Sequence, residues 1–445
     1  MIEMDNIIRQ LVAAGMSRAA SEAKAGLFQR IDDAMSASPA FRLFAPGRVE
    51  FLGKHTDYAG GRSLVGAIER GICFCAGPRA DRRVVIRDVA RELTSEFGVE
   101  RDIAPLHGTW ASYGMVVARR IARNFPGTLT GADIFFASDL SPAAGMSTSS
   151  ALITGFFSLL SELYGLPRHP DYASQISSPA ELAEYLGAIE NGSSYRELAG
   201  DSGVGTSGGS QDHAAILLSE PRTLTQCSFG PVRKEVAVPF PPPLVLVIAV
   251  SGVVAEKTGA AKAAYNRISR ATSRILLHWN LATGRNDGTL MGAISHHPES
   301  HRELREILEA ADDDEFDRSI LVARLEQLVM ETTVLIPDAV ECLRRLDLAG
   351  LGMTVDLSQT LAERMLGNQV PETIALARLA REGGAVAASA FGAGFGGSVY
   401  AVVPETESTD FMSRWSHRYW SEFPSRRESS SFFVTLPGPP LTRLT

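Results

Sequence analysis

A cluster of four chemically different polar residues lies in the first part of the chain. The stretch "APGRVEFLGKHTDYAGG", residues 45–61, places a cation, an imidazole, a hydroxyl and a carboxylate side by side from Lys54 to Asp57. Together these groups can donate and accept hydrogen bonds at several points of a ligand. The alternative interpretation is an exposed polar turn that holds a salt bridge.

A second stretch, "SPAAGMSTSSALITG", combines small residues with hydroxyls at the predicted start of a helix. A strand is expected to end near Leu140, and the helix follows the loop of residues 145–150. Small residues let backbone N–H groups point the same way, and hydroxyls add donors or a Mg²⁺ ligand, which is what an anion site at a helix N-terminus requires. The alternative is an ordinary N-cap, although four hydroxyls in a row exceed what one cap uses.

A third stretch, "FGAGFGGSVYAVV", satisfies G-x-G-x-x-G through Gly392, Gly394 and Gly397. A dinucleotide-binding fingerprint must open a helix, whereas "SVYAVV" is β-branched and aromatic and continues as a strand. We therefore reject that interpretation. The glycines indicate either close approach of the backbone to a ligand or another element, or a tight hairpin.

A fourth stretch, "GTSGGSQDHAAILLS", contains G-x-S-x-G with Ser207 at its centre. The segment before it is polar and predicts no buried strand, so a hydrolase nucleophile elbow is rejected. Asp212 lies where this loop meets an apolar helix, and it could serve as a general base or as a helix cap. The sequence has no Walker-type phosphate loop, no metalloprotease histidine pair and no H-R-D kinase signature.

Composition limits the class of protein. With 445 residues, 45% of them apolar, the chain is long enough for two globular domains. A formal charge of −8 without a Lys/Arg block argues against nucleic-acid binding. The four cysteines form no C-x-x-C pair, the N-terminus lacks the charge pattern of a signal peptide, and the longest apolar run is too short to span a bilayer. We therefore expect a soluble, cytoplasmic protein without membrane contact.

Helical and strand patterns alternate along the chain, which predicts an α+β or α/β fold. Residues 1–36 are predicted as helix, and "FRLFAPGRVEFLG" as strand broken by Pro46 and Gly47. A proline-rich segment before "LVLVIAVSG" marks a boundary, so we expect an N-terminal domain over 1–230 and a C-terminal domain over 231–445.

Taken together and in this order, these stretches resemble the galactokinase branch of the GHMP small-molecule kinases. The first is similar to the sugar-binding signature, normally G-R-V-N-x-x-G-E-H-T-D-Y, and "GMSTSSAL" to the phosphate-binding loop G-L-S-S-S-A. "FGAGFGGS" is similar to G-G-G-F-G-G, and "AIEN" and "GGSQDHAAIL" to A-E-N and G-I-M-D-Q. The resemblance implies an α+β fold with an N-terminal ribosomal S5-like domain, a C-terminal ferredoxin-like domain and an active site in the cleft between them.

The resemblance also implies a reaction, the transfer of phosphate from ATP to the C1 hydroxyl of a monosaccharide, galactose first, with Mg²⁺ as cofactor. It assigns the catalytic base to Asp212 and transition-state stabilisation to Arg48. Implied sugar ligands are Lys54, His55, Asp57, Gly209 and Tyr265. Implied nucleotide contacts are Gly145, Met146, Ser147, Thr148, Ser149, Ser150 and Trp110, the last with Tyr113 beside it, and implied Mg²⁺ ligands are Glu190 and Ser149, with Ser150 as the alternative to Ser149.

In this interpretation the polar turn recognises a polyol. A hydroxyl in the wrong position would leave a buried group unpaired, at about 1–3 kcal/mol each. The expected partners are a sugar and ATP, without nucleic acid, and the expected state is a monomer or a weak homodimer.

One departure from the pattern bears on the substrate. Lys54 replaces the family glutamate that lies by the C6 hydroxyl, so its ammonium could pair with a C6 carboxylate, which makes galacturonate or a related sugar an alternative substrate. It could equally point to solvent or donate a hydrogen bond to a neutral hydroxyl. Lesser departures are Phe391 and Ala393 in the third motif, a longer link between Glu190 and Asp212, and "QDH" in place of M-D-Q. Two competing hypotheses for the function are a non-catalytic sensor of sugar and nucleotide, and a kinase of mevalonate or homoserine.

Overall fold

Helices and strands alternate along the chain, in agreement with the predicted α+β class. The computed structural model describes residues 2–106, 108–127, 129–141, 144–206, 208–253 and 259–445, so Ser207 lies outside the described residues. The helices are α1 (Ile2–Ala13), α2 (Arg18–Ala34), α3 (Ala111–Asn124), α4 (Thr148–Tyr164), α5 (Pro170–Gln175), α6 (Pro179–Asn191), α7 (Gln211–Leu218), α8 (Gly259–Thr283), α9 (Leu290–Ile294), α10 (Ser300–Ala310), α11 (Arg318–Met330), α12 (Ile336–Arg345), α13 (Leu348–Leu361), α14 (Pro371–Glu382) and α15 (Ser408–Glu422). The strands are β1 (Phe41–Leu52), β2 (Arg62–Arg79), β3 (Arg83–Asp88), β4 (Leu93–Gly98), β5 (Gly131–Ser138), β6 (Thr223–Ser228), β7 (Arg233–Pro239), β8 (Leu244–Val250), β9 (Ala387–Phe391), β10 (Ser398–Pro404), β11 (Ser431–Thr435) and β12 (Thr442–Leu444).

The first sheet has the strand order β12-β1-β2-β5-β3-β4, with β6 paired to β2 and β7 paired to β6. All of these pairs are antiparallel except β3 with β5. Phe44 and Cys73 join the apolar cluster formed with α1 and α2. Phe74 contacts Phe136 of β5 and Phe156 of α4. Because helices supply apolar partners to both central strands, β1 and β2 are buried along most of their length.

The second sheet has the strand order β11-β8-β10-β9, and every pair in it is antiparallel. If the four strands of this sheet are numbered by their order in the chain, their order across the sheet is 4-1-3-2. Helices lie between β8 and β9, and α15 lies between β10 and β11. That is the β-α-β-β-α-β arrangement of a ferredoxin-like domain. Leu376 of α14 and Trp415 of α15 pack on one face of this sheet. The predicted architecture of the C-terminal part is confirmed.

The structure differs from the sequence-based prediction at two element boundaries. The predicted helix over residues 1–36 is two helices, because Gly15 adopts a left-handed φ of 96° between them. The strand predicted to break at Pro46 is continuous from Phe41 to Leu52 and accommodates the proline by a shift in register against β2.

The predicted domain limit between residues 230 and 231 falls between β6 and β7, which are hydrogen-bonded neighbours in the first sheet. The pairing therefore extends the first unit to Pro239. The last strand, β12, also returns to the first sheet, where it pairs with β1. A single cut of the chain thus does not separate the two units.

The two units meet along the first motif. The rings of Phe51 on β1 and Tyr400 on β10 stack with centroids 4.8 Å apart, and both side chains are fully buried. The Tyr400 hydroxyl donates to the Phe51 carbonyl at 2.7 Å. A helical layer from α8 to α11 also reaches this region, where its apolar core includes Ala59 and contacts Tyr58. The polar turn is therefore enclosed by both units.

Two further findings concern the chain as a whole. No described helix combines the length and the apolar character needed to cross a membrane. The four cysteines are free thiols, with Cys73, Cys75 and Cys227 buried and Cys342 partly exposed.

The substitution Tyr400→Phe tests the contact between the units. We expect it to lower the free energy of unfolding by about 1–2 kcal/mol, because the buried Phe51 carbonyl loses its donor while the ring stacking remains. Denaturant unfolding measures this loss. The matched control is Tyr164→Phe, which removes a hydroxyl bonded to a carbonyl at a more exposed site and should cost about 0.5 kcal/mol or less. Equal losses in the two variants would contradict the importance of the buried contact.

Candidate active site

A cavity of about 700 Å³ lies where the polar turn, the serine-rich loop and the glycine-rich turn meet. Predicted site residues that line it are Arg48, His55, Asp57, Trp110, Tyr113, Gly145, Ser147, Thr148, Ser149, Ser150, Glu190, Gly209, Asp212 and Tyr265. Gly392 and Ala393 of the third stretch line it as well. Segments that are up to 345 residues apart in the chain, from Arg48 to Ala393, therefore share one site.

An ion pair joins the predicted catalytic residues, both of which line this cavity. Arg48 Nε donates to Asp212 Oδ1 at 2.8 Å, and the same guanidinium donates to the carbonyl of Gly145. Arg48 is buried on β1, while the Asp212 side chain, in the first turn of α7, is 22% exposed. The buried cation thus orients a carboxylate that a ligand in the cavity can reach.

The start of α7 is fixed by the polar turn. Ser210 gives no side-chain cap to this helix, and instead Asp57 Oδ2 accepts a hydrogen bond from the backbone N–H of Gln211 at 3.1 Å. The backbone of Gly209 lies against the same carboxyl group, since a Cβ at Gly209 would be 2.6 Å from Asp57 Cγ. Burial raises the pKa of Asp57 above its usual value, although its hydrogen bonds act in the opposite direction.

Glu190, at the end of α6, lies beside the serine-rich loop. Its Oε1 accepts from Ser149 Oγ at 2.9 Å, and its Oε2 accepts from Ser150 Oγ at 2.8 Å. Ser150 Oγ also lies 3.4 Å from Asp212 Oδ2. His213 approaches Glu190 Oε2 at 3.0 Å from the other side. The Ser150 hydroxyl thus connects the predicted metal carboxylate with the predicted base.

The serine-rich loop has the backbone expected of an anion site. Gly145 and Ser147 adopt left-handed φ values of 74° and 60°, and α4 begins directly afterwards at Thr148. The side chain of Met146 is buried in the apolar core and does not line the cavity, while its carbonyl accepts from the backbone N–H of Arg48 at 3.3 Å. Met146 therefore contributes to the loop through its backbone.

The glycine-rich stretch forms the turn between β9 and β10 and touches this loop. A Cβ at Gly392 would be 2.8 Å from the carbonyl oxygen of Gly145, and Ser398 Oγ donates to the carbonyl of Ala144 at 2.5 Å. The stretch is thus both a hairpin turn and a close approach to another element, so both interpretations left open by the sequence apply.

His55 is held by protein groups at both ring nitrogens. Nε2 lies 3.1 Å from the carbonyl oxygen of Ala393, which can only accept, so Nε2 carries the hydrogen and Nδ1 accepts from the Tyr58 hydroxyl at 2.8 Å. Burial, together with the charge of Arg324, lowers the pKa of His55 to about 3. His55 therefore lines the cavity as a neutral ring whose nitrogens are already used.

Lys54 does not occupy the predicted position in the sugar site. Its ammonium donates to Ser389 Oγ at 2.9 Å and to Ser358 Oγ at 3.3 Å, both in the second unit, and the residue is 1% exposed. It is not among the residues that line the cavity. Ser358 in turn donates to Glu331, so the ammonium belongs to a buried polar network between the units.

Aromatic residues form two walls of the cavity. Trp110 packs against Phe136 with ring centroids 5.6 Å apart, and Tyr113 lies one turn further along α3. Tyr265 of α8 lies 5.0 Å from the His55 ring, between centroids, and its hydroxyl faces Gly208. The predicted positions of Trp110 and Tyr265 at the cavity agree with the structure.

Sequence reasoning missed two residues of this region. Arg324 of α11 is buried, donates to the backbone carbonyl of His55 and donates to Thr272 Oγ1 at 3.0 Å. No signal in the sequence connects it with a turn almost 270 residues away. Glu50 also lines the cavity and accepts from Gln211 Nε2 at 2.8 Å. For Glu50 the sequence did contain an indication, because the family's sugar-binding signature has Asn at this position.

Three family models match the chain. They are the galactokinase galactose-binding signature over residues 32–78, the GHMP kinase N-terminal domain over 112–220 and the GHMP kinase C-terminal domain over 335–421. Together they cover just over half of the chain. Among the matched segments is the polar turn, whose His55 and Asp57 line the cavity.

Two bacterial galactokinases match part of this chain in sequence. A galactokinase of Roseiflexus sp. (strain RS-1) is 38% identical over 130 residues, or 28% of this chain and 32% of that protein. A galactokinase of Actinobacillus pleuropneumoniae is 35% identical over 126 residues, again 28% of this chain and 32% of that protein. The aligned segment thus spans about a third of the length of these relatives.

Solved structures share the fold over almost the whole chain. The galactokinase of Lactococcus lactis complexed with galactose has a TM-score of 0.77 at 20% identity, covering 94% of this chain and 99% of that one. The mevalonate kinase of Methanococcus jannaschii has a TM-score of 0.54 at 12% identity, covering 91% and 99%. With the signature and both domains in order on this fold, the chain belongs to the galactokinase branch of the GHMP small-molecule kinases.

Proposed function

We propose that this protein transfers the γ-phosphoryl group of ATP to the C1 hydroxyl of galactose. The observation that carries the proposal is the Arg48–Asp212 ion pair, which lies in one cavity with the serine-rich start of α4. Phosphoryl transfer passes through a loose transition state and needs positioning and charge stabilisation more than covalent chemistry. A reachable carboxylate, a guanidinium and an anion-binding helix start meet those needs.

Asp212 is the proposed acceptor of the C1 hydroxyl proton. Arg48 binds its Oδ1. Its Oδ2 lies on the side of Ser150 and is the oxygen proposed to accept the proton. Arg48 also binds the carbonyl of Gly145 and therefore keeps the base at a fixed distance from the serine-rich loop. This arrangement orients the hydroxyl for in-line attack on the phosphorus atom.

The triphosphate is proposed to bind at the start of α4. Backbone N–H groups there are unsatisfied by the helix itself, and the helix dipole favours negative charge. GHMP kinases use ATP, and the half-buried Trp110 offers a flat surface for a base in the wall of the cavity.

Glu190 and Ser149 fit a Mg²⁺ ion. Both offer the oxygen ligands that this ion prefers, 2.9 Å apart. The described residues contain no cluster of three or more His, Cys, Asp or Glu side chains that could hold a metal alone. That pattern suits Mg²⁺, which is usually held by one or two carboxylates together with substrate phosphates. When bound, the ion would neutralise charge on the phosphates.

Ser149 is the better candidate ligand, because Ser150 is fully buried while Ser149 is 8% exposed.

Asp57, the backbone of Gly209 and the Tyr265 hydroxyl form the proposed sugar site. They line the cavity close to Asp212, since Asp57 binds the residue that precedes it. A carboxylate, a carbonyl and a phenol can each pair with a hydroxyl group, and an epimer would leave one of them unpaired. We also expect a cytoplasmic protein that is a monomer or a weak homodimer.

The competing hypotheses lose support from these contacts. Galacturonate required the ammonium of Lys54 in the sugar site, and that ammonium binds Ser358 and Ser389 instead. A non-catalytic sensor would have no need of the Arg48–Asp212 pair. The galactose-binding signature favours a sugar over mevalonate or homoserine.

The substitution Asp212→Asn tests the base. We expect folded protein whose kinase turnover with galactose falls by about 10²–10⁴-fold, since the amide cannot accept the proton. An assay of ADP release with and without galactose measures this. Asp314→Asn, at a carboxylate that is 86% exposed, is the control and should leave turnover unchanged. Near-normal turnover of Asp212→Asn would refute the assignment of the base.

A pair of serine variants tests the metal site. Ser149→Ala should raise the Mg²⁺ concentration needed for half-maximal turnover by about 10-fold or more, because a ligand is lost. Ser150→Ala should lower kcat with a smaller change in the Mg²⁺ requirement, because Ser150 Oγ contacts both Glu190 and Asp212. Titration of turnover with Mg²⁺ gives both values. The reverse pattern would assign the metal ligand to Ser150.

The substitution Lys54→Met tests whether this lysine selects the sugar. We expect a loss of stability of about 1–3 kcal/mol, since two buried serines and a buried network lose an ammonium donor. The ratio of turnover with galactose to turnover with galacturonate should stay as in the wild type. Lys24→Met, at another buried lysine paired with Asp139, is the matched control for stability. A changed sugar ratio in Lys54→Met alone would return Lys54 to the sugar site.

A further inference from the structure

Glu50 is a charged residue of the cavity wall to which the proposed mechanism gives no role. It lies on β1 two residues after Arg48, lines the cavity and is 3% exposed. Its Oε2 accepts from Gln211 Nε2 at 2.8 Å. Its Oε1 is buried and has no hydrogen-bond partner among the described residues. A carboxyl group in this position is costly to keep charged, so its presence calls for an explanation.

Gln211 connects Glu50 with the base. Gln211 is the first residue of α7, and Asp212 is the second. Its side chain binds Glu50, while its backbone N–H binds Asp57. Two residues of the polar-turn motif thus hold one glutamine from two directions, and α7 has no side-chain cap of its own at Ser210. The orientation of Asp212 therefore depends on contacts that Gln211 makes.

We propose that Glu50 is a positioning residue, which holds Gln211 and thereby fixes the start of the helix that carries Asp212. This inference rests on the proposed kinase function. The hydrogen bond needs an acceptor at residue 50 and a donor at residue 211, and it needs no charge. Glu50 in its neutral form fulfils that role, because the carboxyl oxygen still accepts from the Gln211 amide.

The surroundings of Glu50 extend the pH range of its neutral form well above that of an ordinary glutamate. Burial raises its pKa to about 7, although the charges of Arg48 and Lys54 and the bond from Gln211 act in the opposite direction. Asp212 on α7 raises the pKa further, and Tyr400 on β10 is another titratable group that interacts with Glu50. Above this pKa, the ionised carboxylate attracts the same Arg48 that orients Asp212. We expect the hold on the base to weaken there.

The sign of the pH dependence follows from the raised pKa. The unfolded chain releases the Glu50 proton near the ordinary glutamate value, and the folded chain does so near 7. The stability contributed by the neutral form is therefore lost as pH rises between these two values, and it changes little above them. Turnover should fall as pH rises through about 7, where the folded protein loses the Glu50 proton.

Kinetic profiles of matched variants test the proposal. In wild type, kcat with galactose should fall above about pH 7. Glu50→Gln keeps the acceptor but cannot ionise, so it should match wild type near about pH 6 and show no such fall. Glu50→Leu and Gln211→Leu should each lose about 10-fold in kcat with little change in KM for ATP, and the double variant should lose no more than either one. Glu69→Gln, at another buried glutamate outside the cavity, should keep the wild-type profile.

The possible results separate the two proposals. If wild type shows no galactose-dependent turnover, the proposed function fails and this inference fails with it. If wild type is active but Glu50→Gln keeps the fall above pH 7, or the losses of the two leucine variants add, the inference alone is overturned. Where a leucine variant does not fold, the profile of Glu50→Gln decides the question, because this change preserves both size and hydrogen bond.

Discussion

The Arg48–Asp212 ion pair is the interaction on which the site depends. A guanidinium that is almost fully buried needs its partners, because losing one of them would leave a charge without compensation in a medium of low polarity. Its partners here are a carboxylate from α7 and a carbonyl from the serine-rich loop. The cost of burying this one side chain therefore forces two distant segments to a common point.

The polar turn contributes to this point in several ways. Asp57 caps α7, and His55 binds the turn between β9 and β10. Lys54 reaches two serines of the second unit, and Phe51 stacks on Tyr400. The cluster of four polar residues therefore exists partly to bind the two units together. The same burial that makes the turn a good scaffold also keeps His55 neutral.

Local pattern was enough to predict the elements that carry the site. The helix after the serine-rich loop, the strand "SVYAVV" and the loop before Asp212 are where the sequence indicated, because each has a clear period and a clear break. The proximity of Arg48 and Asp212 came from the resemblance to a family. The contacts of Lys54 and Glu50 were not predicted, because both depend on side chains of segments far away in the chain, although the departure of Glu50 from the family signature marked that position. β7 belongs to the first sheet through its pairing with β6, its immediate neighbour in the chain.

The most direct test of the account is to identify the atom that receives the phosphate. Galactose labelled with carbon-13 at C1 is incubated with the protein, ATP and Mg²⁺, and the product is examined by carbon NMR. The account predicts that the C1 signal splits through coupling to phosphorus, and that it does so only with an intact Asp212. Phosphate attached to another carbon, or ADP formed while the C1 signal stays unsplit, would contradict it.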